Sequence, residues 1–187
     1  MGRNITRILL FFSVFAIIFA GLNHLMVPKN NSSEAGMYDA FAKGFLAEPE
    51  NSLDVLFLGD SEIYCCIVPL LIWEAQGITS YTCGTSDQAL YQTEAFLYRA
   101  TERQKPKIVF LETNIFYRDH STLDVLPHWA EEVFPLFRYH DRWKKIRLND
   151  FIEPIDFSHI VRDKGYLYKT DIDIPYPAQY EKNLSAQ

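Results

Sequence analysis

The sequence predicts an α/β domain on a parallel sheet, carried behind an N-terminal membrane-spanning helix. Three observations predict it. Val55–Leu58 and Ile108–Leu111 are short continuous apolar runs, the pattern of strands buried on both faces of a parallel sheet. Helical segments alternate with these strands, which is the order of a right-handed βαβ arrangement. Near the N-terminus, Ile8–Leu22 is a long apolar run.

With Leu25-Met26-Val27 added after Asn23 and His24, that first segment reaches about the 20 residues needed to cross a bilayer. Arg3 and Arg7 precede it and few basic residues follow, which favours a cytoplasmic N-terminus. Ile18 and Ala20 make a poor cleavage site. Residues 1–27 therefore read as an uncleaved signal anchor, with the rest of the chain outside the cytoplasm. A cleaved signal peptide is the second reading and a buried soluble helix the third. Residues 28–50 read as a linker and lead-in. Pro28–Ser33 is a polar spacer, and Tyr38–Leu46 a short helix lying on the sheet through Phe41, Phe45 and Leu46. Two N-x-[ST] patterns at Asn30 and Asn31 are of a kind that arises by chance.

Residues 51–187 read as the α/β domain. Its first strand ends in Gly59-Asp60-Ser61. A serine on a sharp turn at a strand's carboxyl end is placed where open α/β sheets bind ligands, and it is a nucleophile if a base reaches it. Gly, Asp and Ser are also ordinary turn formers, so a plain strand-to-loop turn is the competing reading. Pro69 and Gly77 bracket a helix over Leu70–Gln76. Ser80–Cys83 is a short strand ending at Gly84. Thr85-x-x-Gln88 reads as a capping box opening a helix to about Arg103, with Leu90, Thr93, Phe96, Leu97 and Ala100 on one face. Pro106 stops it, and Lys107–Glu112 is the third strand, again a buried run. Leu126–Phe137 is aromatic-rich and partly helical, its length limited by Pro127 and Pro135. From Asp150 onward no period is evident.

All three strands end in polar residues: Gly59-Asp60-Ser61, Gly84-Thr85-Ser86 and Glu112-Thr113-Asn114. These ends carry a resemblance. The chain resembles the SGNH (GDSL-like) hydrolase superfamily, in the membrane-anchored bacterial branch similar to cell-envelope O-acetylation proteins and to the D-alanyl transfer protein of teichoic acids. The resemblance implies a three-layer, flavodoxin-like parallel α/β fold. It implies Ser61 as nucleophile, the Gly84 N–H and Asn114 side chain as oxyanion donors, and Asp156-Phe157-Ser158-His159 as the Asp-x-x-His block supplying base and orienting carboxylate. Glu112 and Ile115 stand where the third block's glycine and aspartate would be. Three strands appear where the family fold usually has five. The resemblance is thus to the N-terminal part of a longer member, with an incomplete sheet and an exposed apolar edge.

Five histidines compete for the role of base. His159 leads because Asp156 is spaced to orient it. His140 beside Asp141 is weaker, since adjacent side chains diverge. His24 reads as interfacial, and His120 and His128 as surface residues. Asp60, Arg142 and Trp143 are candidates for holding substrate, Arg138, Arg142 and Trp143 reading otherwise as a solvated amphipathic face. The net charge of −6 and the lack of a basic stripe interleaved with aromatics exclude nucleic acid as a partner. Cys65, Cys66 and Cys83 have no metal-ligand spacing and read as small core residues. No metal site, P-loop or dinucleotide fingerprint is present, so no cofactor is expected.

The expected function is that of a membrane-tethered, extracytoplasmic serine esterase or acyltransferase. The resemblance implies as partners the membrane, an envelope polysaccharide or teichoic-acid-like polymer, and a membrane acyltransferase. The competing expectation is a non-catalytic α/β accessory module. A Ser61 without a well-placed base would be a weak catalyst.

Overall fold

A computed structural model describes residues 2–37, 39–117, 122–157 and 163–166. The chain forms two compact units that interleave in sequence. Of the described residues, one gathers 2–29, 34–37 and 122–155; the other gathers 30–33, 39–117, 156–157 and 163–166.

The second unit holds the sheet. Its strands are β1 (Val55–Gly59), β2 (Ser80–Gly84) and β3 (Ile108–Leu111). They are parallel, in the order β2-β1-β3, with Leu58 opposite Cys83 on one side and Leu111 on the other. Helices α2 (Ser61–Cys66) and α3 (Pro69–Gln76) connect β1 to β2, and α4 (Leu90–Arg103) connects β2 to β3. On one sheet face Leu56, Leu58, Tyr81 and Cys83 pack under Phe96 and Ala100 of α4 and under Phe45. On the other, the hydrogen sides of Gly59 and Gly84 look onto Ile63 and Tyr64 of α2. The result is an α/β fold with helices on both faces of a three-stranded parallel sheet. Connections on opposite faces are what right-handed crossovers demand when the chain leaves β1 first one way and then the other.

Local signals behave as their chemistry dictates, with exceptions. Pro69 opens α3 and Gly77 closes it in the left-handed conformation at φ 67°. α2 was not expected from its sequence. Thr85 and Gln88 do pair, the Thr85 N–H donating to Gln88 Oε1 at 2.9 Å, but in a turn ahead of the helix. α4 starts five residues after Thr85, where the Ala89 N–H donates to Gln92 Oε1 at 2.8 Å. Thr93, Phe96 and Ala100 are buried as expected, while Leu90 is exposed. β3 differs from a buried run: its four residues are 39–51% exposed. It is an edge strand whose faces are only partly covered. An open groove of about 340 Å³ runs along one of them, between Leu58, Val109 and Leu111 and the Leu90, Leu97 side of α4. Cys83 is buried, but Cys66 is exposed at the end of α2 and so is not a core residue.

The lead-in is not a loose spacer. Asn31, Lys43 and Glu48 are buried, and Phe45 is enclosed in a 3₁₀ turn (Gly44–Ala47) rather than an α-helix. A turn at residues 163–166 covers the outer edge of β2, where Lys164 O accepts the Thr82 N–H at 3.0 Å. Lys164 Nζ reaches Glu48 Oε1 at 2.8 Å, both side chains being fully buried.

The first unit contains α1 (Gly2–Met26), α5 (Thr122–Val133) and α6 (Pro135–Arg138), with 3₁₀ turns at His140–Lys145 and Leu148–Phe151. Asn4–Met26 is long and apolar enough to cross a membrane, with mean hydropathy 2.3. Pro127 sits inside α5 and does not end it.

Candidate functional site

Because the strands are parallel, their carboxyl ends lie along one edge of the sheet. Gly84, Gly59-Asp60-Ser61 and Glu112 follow one another across that edge in the order β2, β1, β3. The chain leaves β1 toward β2 and returns past it to β3, so the β1/β3 gap is the topological switch point. That is the place where open α/β sheets leave a crevice.

Ser61 is the first residue of α2 and is half-buried. Among the described residues, no side chain hydrogen-bonds its hydroxyl. Asp60 is 3% exposed and caps α2, its Oδ1 accepting the Glu62 N–H at 2.9 Å. Asp60 therefore serves the local fold at the head of α2. Gly84 lies close against the turn: a Cβ there would sit 2.9 Å from Asp60 O and 3.1 Å from Gly59 O. Only glycine lets β2 approach so closely. Asn114 begins a 3₁₀ turn (Asn114–Phe116) directly after β3 and is exposed.

Glu112 is the residue whose role the sequence left unread. Its Oε2 accepts the Asp60 N–H at 2.6 Å, which ties the end of β3 to the Ser61 turn. Its carboxyl also fills the space a side chain at position 59 would need. Oε1 is buried with no hydrogen-bond partner among the described residues. Burial, together with the Asp60 and Glu62 carboxylates, pushes the Glu112 carboxyl up, against the opposing pull of the Asp60 N–H. The signal was its departure from the glycine of the resembled block.

No family model matches this chain, and neither a curated protein nor a solved structure is found to match it. The site must be judged on its own chemistry.

The candidate bases are not assembled around Ser61 among the described residues. His159 lies outside them, as does His120. Asp156 is described and exposed. His140 and Asp141 belong to the first unit, not to the one that holds Ser61. The His140 ring is 71% exposed; its Nδ1 is 2.9 Å from Phe137 O and its Nε2 lies 3.7 Å from Asp141 Oδ1. That separation is too long for the hydrogen bond of a catalytic pair. Arg142, of the same unit, is 2% exposed, which corrects the reading of a solvated face. Its guanidinium donates to Ala35 O at 2.8 Å, to Leu25 O, and to Asp150 Oδ2 at 2.8 Å. Trp143 beside it is 62% exposed, with Lys144 Nζ 5.5 Å from its ring centre. Among the described residues no group of His, Cys, Asp and Glu is placed to hold a metal ion.

Proposed function

We propose that this protein is a membrane-tethered, extracytoplasmic serine esterase or acyltransferase of SGNH type, acting on acyl groups of cell-envelope glycopolymers. The observation that carries this reading is the meeting of Ser61, Gly84 and Glu112-Thr113-Asn114 along one sheet edge, beside the topological switch point. The Ser61 hydroxyl attacks an ester carbonyl. The negative charge that develops on the carbonyl oxygen is met by the Gly84 N–H and the Asn114 amide. An acyl-enzyme results, and water or a polymer hydroxyl takes the acyl group from it. His159, oriented by Asp156, is the base in this reading. Arg3 and Arg7 before the apolar helix hold the N-terminus inside and the sheet unit outside.

A second reading has its own support. Asp60, Glu62 and Glu112 gather acidic groups at the Ser61 turn, and negative charge there opposes an oxyanion. A non-catalytic accessory module that retains the fold would carry such a cluster without penalty.

The full chain in detergent, assayed with an activated acetyl ester beside Ser61→Ala, His159→Ala and His140→Ala, separates the two. The esterase reading expects turnover abolished in Ser61→Ala, strongly reduced in His159→Ala and unchanged in His140→Ala. Equal rates in all four proteins would leave the accessory reading standing.

A further inference from the structure

The C-terminal part of α1 does not stand free within its own unit. Phe19 packs edge-on against Phe134 at 5.2 Å between ring centres and lies 6.2 Å from Phe137. Asn23 Oδ1 accepts the Leu136 N–H at 3.1 Å, and Leu25 O accepts from Arg142. The segment around α6 is therefore fixed alongside the last two turns of α1. Phe19 precedes Met26 by seven residues, or about 10 Å of helix axis. The span Asn4–Met26 is about 34 Å long at the usual rise, against a hydrocarbon core of about 30 Å. If α1 spans the bilayer, the rings packed on Phe19 lie below the headgroups.

The neighbouring surface fits that depth. Leu126, Trp129 and Val133 follow one another at i, i+3 and i+7 on α5, one face of the helix, and are 66, 56 and 46% exposed. Turned outward in water, such a stripe is unfavourable; against lipid it is buried. Trp129 also touches Phe134, at 6.3 Å between ring centres, so the stripe is continuous with the contact on α1. The next stretch, 138–147, carries five basic residues against one acidic, Arg142 among them being buried. Arg138, Lys144, Lys145 and Arg147 with the exposed Trp143 are the residue types that settle at headgroup level.

We propose that residues 122–152 form a platform lying in the lipid interface of the outer leaflet, with the α5 stripe against the acyl chains and the 138–147 basic stretch on the phosphates. The platform rests on the reading of α1 as a membrane anchor. It makes α1 and the platform one membrane-embedded foot.

The full chain, reconstituted in phosphatidylcholine vesicles with a minority of phosphatidylglycerol, tests both levels. Single-tryptophan variants keep Trp129, Trp143 or, as the reference from the other unit, Trp73, with phenylalanine at the remaining two positions. Quenching by lipids brominated near the upper acyl chain should be several-fold stronger for Trp129 and Trp143 than for Trp73. Retention of the protein in the vesicles after carbonate extraction reads the anchor separately. Retained protein with Trp129 and Trp143 no better quenched than Trp73 overturns the platform alone. Protein released by carbonate overturns the anchor and the platform with it. Retained protein in which Trp129 is shielded from lipid by a second copy, detected by cross-linking at Leu126→Cys, also overturns the platform.

Discussion

Glu112 and Lys164 are two buried or half-buried charges that make different demands on their surroundings. Glu112 braces the Ser61 turn through the Asp60 N–H, yet its charge sits where a catalytic serine would want none. Its carboxyl is pushed up, so it is neutral at low pH and ionises as pH rises through that elevated value. Glu112→Gln keeps an acceptor for the Asp60 N–H and removes the charge. In the esterase reading, Ser61 acylation in Glu112→Gln should match the parent at low pH and exceed it by about tenfold above the Glu112 transition, a difference of ~1.4 kcal/mol. Stopped-flow acylation rates against pH measure it, and parallel profiles would remove Glu112 from the site. Gly84→Ala should fail for a steric reason, since the new methyl meets the Asp60 and Gly59 carbonyls. Overpacking of this kind costs about 1–3 kcal/mol, read from urea melts. Lys164 is lowered to about 8 by burial, against the pull of Glu48. Between that value and its ordinary 10.5 the unfolded chain binds more protons than the folded one, so the lysine's contribution to stability rises with pH across this window. Lys164→Met lacks that rise and, by stranding Glu48, should cost about 3–5 kcal/mol at neutral pH. Denaturant melts at pH 7.5 and 10 compare the two proteins, and an unchanged difference between them would contradict the assignment.

At the scale of elements, the end of α3 offers a clean test of backbone chemistry. Gly77 has φ 67° with nothing within 4 Å of where a Cβ would lie, so only the backbone resists a side chain there. Gly77→Ala should destabilise by about 1–2 kcal/mol without touching Ser61 reactivity. Its Pro and Gly made α3 legible in the sequence, as the apolar runs made the strands. α2 was not legible, because Asp60 and Ser61 serve a turn and a helix start equally well and six residues show no period. The Thr85/Gln88 pair illustrates a related ambiguity: its hydrogen bond forms, but the backbone at Ala89 is still extended and the helix begins beyond it. Pro127 misled in the other direction. A proline loses one hydrogen bond, and α5 carries that loss near its first turns. The exposure of β3 followed from the strand count and not from its composition, since an apolar run is written the same way at a sheet's edge and at its centre.

At the scale of the whole molecule, the described residues from 122 to 155 are gathered with α1. No local pattern announces such a grouping. Arg142 contributes to it, a buried guanidinium that joins Leu25, Ala35 and Asp150, as do the contacts of Phe19 and Asn23 with α6 and the residues beside it. The bonds of Arg142 commit its guanidinium within the first unit. In the unit that holds Ser61, no histidine occurs among the described residues, and the base of the proposed reaction rests on His159. A phosphonylating reagent bypasses the substrate and reports the serine alone. The full chain, treated with a fluorophosphonate and analysed by intact mass and peptide mapping, should gain one adduct, on Ser61. That adduct should vanish in Ser61→Ala and form far more slowly in His159→Ala. A folded protein that takes no label at Ser61, or takes it equally well without His159, would contradict the account.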